Sequence, residues 1–148
     1  MRGSVVIQGI SRLTAEQHAE VARLAQTDRQ VRAHEQAHIA AAGAVARSGP
    51  SFTYATGPDG QLYAVGGEVS IDTSAVPGDL RATIRKAEII QAAANAPADP
   101  SPQDRQVAAA AAQMAMQARL ELAAQEAEKA EEEGSTNQTR GTVLDVVA

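Results

Sequence analysis

Two of the chain's three histidines lie four residues apart, in the run V-R-A-H-E-Q-A-H-I from Val31 to Ile39. On a helix, His34 and His38 share one face, so both imidazoles can bind one tetrahedral metal ion. Glu35 is turned by about 100° from His34, because a helix has 3.6 residues per turn. Its carboxylate can then reach a metal-bound water, as in H-E-x-x-H zinc proteases. The spacing predicts a zinc site at which Glu35 activates that water to attack a peptide carbonyl.

A catalytic zinc site of this kind needs a third protein ligand, and the chain contains no cysteine to supply it. We favour Glu68, because it follows a Gly-Gly pair that lets the backbone approach closely, in the extended region after the motif helix. Spacing alone leaves four other candidates open: Asp72, Asp79, Glu88 and His18.

Three further side chains could donate a hydrogen bond to the oxyanion of the transition state, namely Tyr54, Tyr63 and Arg85. Each has an alternative role. In a chain so poor in aromatic residues the tyrosines are needed for packing, and Arg85 can simply solvate a helix face.

Capping signals predict where the helices begin. Thr14-Ala-Glu-Gln17 matches a capping box, so a first helix runs from there to about Ala25. Thr27-Asp-Arg-Gln30 repeats the pattern, and we expect a second helix from Asp28 to about Ala46 that carries the motif.

The following stretch favours strands. Ser51 to Thr56 and Gln61 to Val65 flank Gly57-Pro-Asp-Gly60, which is typical of a turn, and so predict a hairpin. Gly66-Gly67 is expected to interrupt it, before a short extended segment over Glu68 to Asp72.

Two more helices are predicted in the second half of the chain. The third begins after Asp79 as N-cap and ends near Asn95, and the fourth begins after Ser101 and ends near Ala130. The expected buried positions are Leu80, Ile84, Ala87 and either Ile90 or its neighbour Ile89 in the third helix, and Val107, Ala111, Met114, Ala118 and Leu122 in the fourth.

The 148 residues are 44% hydrophobic but only 2% aromatic, which predicts a thin core with close helix packing. The expected fold class is α+β and mainly helical, with about four helices and a short antiparallel hairpin. We expect a lead segment over residues 1–13, one domain over 14–125, and an acidic helix end with a flexible tail over 126–148.

Charge and hydropathy limit the partners. A net charge of -5 without a basic cluster argues against nucleic acid. The sequence predicts no signal peptide or membrane span, so a cytoplasmic location is the default expectation. The remaining expected partners are a peptide or protein substrate and a second copy of the chain, bound through the Met114 face of the last helix.

Several separate blocks resemble one protein family. The run D-R-Q-V-R-A-H-E-Q-A-H-I-A-A-A-G is followed by T-Y-A-T-G-P-D-G-Q-L-Y-A-V-G-G-E-V-S-I-D, P-G-D-L-R-A-T-I-R-K-A and A-P-A-D-P-S-P-Q-D-R-Q-V-A. These blocks, which span about Thr14 to Leu122, resemble the bacterial SprA-related family of proposed metalloproteases. The resemblance implies a zincin-like fold, a zinc motif at His34, Glu35 and His38, and a ligand role for Glu68.

Two functional interpretations follow. The first is a zinc-dependent metallopeptidase with Glu35 as the general base. The alternative is a non-catalytic helical interaction module whose zinc site is structural or vestigial.

Overall fold

The computed structural model describes residues 12–143, with side chains up to residue 137. This part of the chain forms three α-helices and a two-stranded antiparallel sheet. The prediction of a mainly helical chain with a short hairpin is confirmed, whereas the prediction of four helices is wrong. Most of the lead segment, and the apolar end after residue 143, lie outside the described residues. The elements are α1 (Ala15–Ala42), β1 (Ser51–Thr56), β2 (Leu62–Glu68), α2 (Leu80–Ala94) and α3 (Pro102–Val143).

Helix α1 replaces the first two predicted helices. It begins at the predicted capping box, in which the Thr14 hydroxyl accepts the Gln17 N–H at 3.1 Å and the Gln17 side chain accepts the Thr14 N–H at 2.9 Å. The second predicted start is wrong, because the Thr27 hydroxyl donates to the Arg23 carbonyl at 3.0 Å from inside the helix. A threonine bonded one turn back does not interrupt a helix. The motif therefore lies in the second half of one long helix.

The hairpin packs on α1 through β2. The Asp28 carboxylate accepts the Ala64 N–H at 2.7 Å, which joins the strand to the helix. A bulge follows at Val65, since Ala64 and Gly66 pair with consecutive residues of β1. Bulges change which residues face each side of a sheet. The strand continues through Gly67 to its last residue, so the prediction that the glycine pair interrupts it is wrong.

The chain after β2 is held between α1 and α2. The Arg47 N–H donates to the Ser70 carbonyl at 2.9 Å, and the Asp72 N–H donates to a carbonyl just after α1 at 2.8 Å. The Asp72 carboxylate accepts a hydrogen bond from Lys86 of α2 at 2.9 Å and from the Ser74 hydroxyl at 2.6 Å. These contacts fix the extended segment that forms one wall of the site described below.

Helices α2 and α3 pack closely because their contact faces carry small residues. Asp79 caps α2 as predicted, accepting the Ala82 N–H at 2.9 Å. Apart from Leu24, Ile90, Pro97 and Gly57, every buried apolar residue in the described part of the chain is alanine. The core is therefore as thin as the composition predicts. On α3 the buried residues are Ala108, Ala111, Ala115 and Ala118.

Helix α3 extends well past the predicted end near Ala130. Its 42 residues correspond to about 63 Å at 1.5 Å per residue. It passes the start of α2 where Arg81 pairs with Glu126 at 2.6 Å, and the side chains over residues 123–137 are all exposed. Within the described residues, no helix combines the length and apolarity that crossing a membrane requires.

Candidate metal centre

The two motif histidines lie one turn apart on α1 and share a face, as their spacing predicts. Their rings meet edge to face, with an interplanar angle of 78°. The Nε2 atoms of His34 and His38 are 3.2 Å apart. His38 is only 4% exposed, while His34 is half-buried. Two imidazole nitrogens are thus directed at the same small volume.

The hydrogen bond at the other ring nitrogen orients the His38 ring. Its Nδ1 lies 2.8 Å from the carbonyl oxygen of Ala93, near the end of α2. A carbonyl can only accept, so Nδ1 donates this hydrogen bond and Nε2 is the nitrogen that faces the cluster. Metal-binding histidines are usually oriented in this way by an acceptor behind the ring.

A third side chain, Asp104, completes the cluster from the first turn of α3. Its Oδ2 lies 3.1 Å from His34 Nε2, and its Oδ1 lies 3.2 Å from His38 Nε2. The same carboxylate accepts the Ser101 N–H at 2.7 Å, while the Ser101 hydroxyl accepts the Asp104 N–H at 3.0 Å. The aspartate therefore caps its own helix and faces both histidines at once.

The surroundings favour the charged form of Asp104. Burial opposes ionisation, but the hydrogen bonds from Ser101 and the nearby imidazoles of His38 and His34 outweigh it, so the pKa of Asp104 lies below its usual value. An ionised carboxylate is the form that binds a metal.

The cluster fits a zinc ion. Zinc bonds of about 2.0 to 2.1 Å at tetrahedral angles separate neighbouring ligand atoms by about 3.3 Å. The two Nε2 atoms are 3.2 Å apart, and each lies 3.1 to 3.2 Å from a different oxygen of Asp104. With one ligand atom taken from each residue, the three atoms lie within 4.8 Å of one another. Two imidazoles and one carboxylate are also the donor set of many catalytic zinc sites, which keep a further position open.

Glu35 lies beside these three residues and is 4% exposed. Burial raises the pKa of the Glu35 carboxyl above its usual value, His34 and His38 oppose that rise, and Asp104 and Glu68 add to it. Gly67 of β2 lies directly against its side chain, where an added Cβ would be 2.8 Å from Glu35 Cγ. The bulge at Val65 accounts for this, because it brings residue 67 to the side of the strand that faces α1.

A cavity of about 460 Å³ opens over the cluster. One side is formed by the three candidate ligands and Glu35, and the opposite side by the extended segment over residues 67–71. Among the described residues that line it there is no lysine or arginine. Its volume lies in the range of about 300 to 1,000 Å³ that is usual for ligand sites.

Glu68, the favoured third ligand, lies at the end of β2 on the rim of this cavity and is exposed. It is absent from the group of side chains that the described structure brings within 4.8 Å of one another, a group made up of His34, His38 and Asp104. Asp104 is therefore a candidate ligand that was not among those predicted from the sequence. Glu68 lies on the rim of the cavity, outside this group.

The remaining candidates lie elsewhere. The Tyr63 hydroxyl donates to Asp59 within the hairpin, and Arg85 is exposed on α2, so neither lines the cavity. Tyr54 is 47% exposed and packs near Phe52. The four alternative candidates for the third ligand also lie outside the cluster: Asp72 binds Lys86, Asp79 caps α2, Glu88 pairs with Arg119, and His18 is exposed on α1.

Fold and site together define a mainly helical domain with a candidate His-His-Asp metal centre. The model of the SprA-related family matches residues 6–146, and the chain belongs to that family. No curated protein and no solved structure matches the chain.

Proposed function

We propose that the chain is a zinc-dependent peptidase of zincin-like type, with the metal held by His34, His38 and Asp104. The observation that carries the proposal is the convergence of the His34 and His38 Nε2 atoms, 3.2 Å apart, on the Asp104 carboxylate, whose two oxygens lie 3.1 and 3.2 Å from them, with a buried glutamate beside them. When bound, zinc supplies a Lewis acid that lowers the pKa of a coordinated water to about 7.

Glu35 is the general base in this proposal. Its carboxylate lines the cavity next to the ligands but is not part of the ligand group, so it is free to accept a proton from the attacking water. The same carboxyl then returns the proton to the leaving amine. Its burial, which disfavours the charged form, suits a group that must take up a proton at neutral pH.

Backbone groups orient two of the three proposed ligands. Ala93 holds the His38 ring through Nδ1, and Ser101 holds the Asp104 carboxylate through its N–H. His38 is therefore held by a backbone carbonyl of α2, and Asp104 by the N–H of the residue that caps its own helix, before a metal binds.

Metal content and cleavage test the proposal. The chain, loaded with zinc and desalted, should retain about one zinc per chain by mass spectrometry, and His34→Ala should not. Glu35→Gln should retain zinc but lose cleavage of a mixed peptide library by at least about 100-fold. A zinc-free protein, or a Glu35→Gln variant as active as the wild type, would contradict the assignment.

A matched pair of variants identifies the third ligand. Asp104→Asn keeps an acceptor for the Ser101 N–H but removes the charge, and should weaken zinc binding at least about tenfold. Glu68→Gln should leave zinc affinity unchanged. The reverse result would assign the ligand role to Glu68 and remove Asp104 from the site.

One observation favours the non-catalytic alternative, an interaction module with a structural zinc. The exposed stretch of α3 over residues 123–137 offers a surface for another protein, including a second copy of the chain. In that case zinc would bind, Glu35→Gln would have no effect on any cleavage, and sedimentation would detect a dimer that truncation after residue 122 abolishes.

A further inference from the structure

A second cavity adjoins the candidate metal centre on the other side of α1's motif. It has a volume of about 610 Å³ and shares His34, Glu35 and Gly67 with the first cavity. We call it the Pro97 pocket after the buried proline of the α2–α3 connection that forms its wall. Because His34, Glu35 and Gly67 line both cavities, a peptide bound at the metal centre would lie next to the Pro97 pocket.

The walls of the Pro97 pocket are mostly apolar. Val31, Ala33 and Ala37 contribute them from α1, and Pro97 and Ala98 from the opposite connection. Because the side chains of these wall residues are small, the pocket has room for a large side chain of a bound molecule. Its volume lies in the range of about 300 to 1,000 Å³ that is usual for ligand sites.

Charge in the pocket disfavours anions. Among the described residues that line it the charged groups are the carboxylates Glu35 and Asp99, and no lysine or arginine is present. A substrate carboxylate there would lose its hydration and meet like charges. An uncharged apolar side chain would bury its surface against the alanine and proline walls.

We propose that the Pro97 pocket is a specificity site that accepts an uncharged, apolar side chain of a peptide substrate, such as leucine, and rejects aspartate and glutamate. That this side chain flanks the bond to be cleaved rests on the proposed peptidase function. Binding of the side chain by the pocket does not, since it depends only on the shape and charge of the walls.

Binding can be measured without turnover. Metal-free wild-type protein, which keeps both carboxylates of the pocket, is labelled at its alanine methyl groups, titrated with acetyl-Ala-Leu-Ala-amide or with acetyl-Ala-Glu-Ala-amide, and followed by NMR. The leucine peptide should shift the Ala33, Ala37 and Ala98 methyl resonances and bind at least about tenfold more tightly than the glutamate peptide. The methyl of Ala40, which is exposed on α1 outside both cavities, should not move.

A pair of substitutions checks the location. Ala33→Phe places a ring at an exposed helix position on the pocket wall and should weaken leucine-peptide binding by about tenfold. Ala40→Phe adds the same ring elsewhere on the same helix and should leave binding unchanged. Equal binding of both peptides, or equal effects of both substitutions, would overturn the proposal.

Cleavage is scored separately on the wild-type protein. Pocket binding without any cleavage would contradict the peptidase function and leave the pocket assignment standing. Cleavage that shows no preference for apolar over acidic residues beside the broken bond would overturn the pocket assignment and leave the peptidase standing.

Discussion

Replacing Gly67 by alanine tests the strand contact that positions the proposed base. An alanine Cβ at residue 67 would lie 2.8 Å from Cγ, 3.0 Å from Oε1 and 3.1 Å from Cδ of Glu35. Since carbon atoms in contact prefer about 3.5 to 4.0 Å, the Glu35 side chain or the strand must move by about 1 Å. Displacement of a catalytic group by that distance can lower a rate by about 100-fold.

The expected result for Gly67→Ala is a fall of about 100-fold in kcat/KM for peptide cleavage, with zinc content unchanged, because the three atoms nearest to the new methyl group all belong to Glu35, which is not a proposed ligand. The added methyl group should also lower the free energy of unfolding by about 1 to 3 kcal/mol, because the side chain or the strand must shift to make room for it; urea unfolding measures this change. Both readouts are needed, since a loss of activity caused by unfolding would be accompanied by a loss of stability large enough to unfold the protein under the assay conditions.

Gly66→Ala is the matched control. Its added Cβ would lie 3.7 Å from Thr53 Cβ, which is an ordinary contact, on the other side of the strand. This variant should keep kcat/KM within about threefold of the wild type, or about 0.6 kcal/mol of barrier. If Gly67→Ala were as active as Gly66→Ala, then Glu35 would not depend on the strand for its position, and the argument would be refuted.

Three further results are expected. Ile90→Ala, which truncates the largest fully buried side chain of the described core, should lower the free energy of unfolding by about 2 to 5 kcal/mol in urea titrations, and a loss under 1 kcal/mol would contradict this role. Zinc at about 100 times its dissociation constant should stabilise the wild type by about 2.7 kcal/mol and leave His34→Ala unaffected, as measured by thermal unfolding with and without a chelator. Hydrogen bonds from Ser74 and Lys86 hold the pKa of Asp72 below its usual value, so this carboxylate stabilises the fold above about pH 4 and ceases to do so as the pH falls through its folded-state pKa. Asp72→Asn should therefore be less stable than the wild type at pH 7, with a difference that shrinks on acidification, and a difference independent of pH would exclude the ionised carboxylate as its cause.

Features set by neighbours in the sequence could be predicted. The capping box at Thr14 and the N-cap at Asp79 depend on side chains that bond within three residues. The common face of His34 and His38 follows from helical periodicity alone. In each case the interacting groups are separated by one turn, so a local pattern contains the information needed.

Features that depend on packing between distant parts of the chain could not be predicted from the sequence. Thr27 matches a helix start equally well, and only the continuity of α1 decides that its hydroxyl bonds one turn back. The bulge at Val65 shifts the strand by one residue, and no turn signal marks it. Asp104 reaches the histidines only because α3 packs on α2, which returns a residue seventy positions away to His34.

One sequence signal pointed toward Asp104 without identifying its role. It lies in the block A-P-A-D-P-S-P-Q-D-R-Q-V-A, three residues after the predicted N-cap Ser101. A helix start accounts for an acid at that position, because the carboxylate bonds the N-cap N–H. That local explanation is correct, but it does not include the metal-ligand role that we propose for this side chain.

Asp104 both caps α3 and faces the two histidines, and this affects how the chain would bind a cation. At the N-terminus of a long helix the anion is favoured by the helix dipole and by the Ser101 N–H, independently of any metal. The ligand set is therefore preorganised, with the aspartate already ionised and its rotamer already chosen. Metal capture would then require little rearrangement of the backbone, and the metal-free and zinc-bound forms should give superimposable far-ultraviolet circular dichroism spectra.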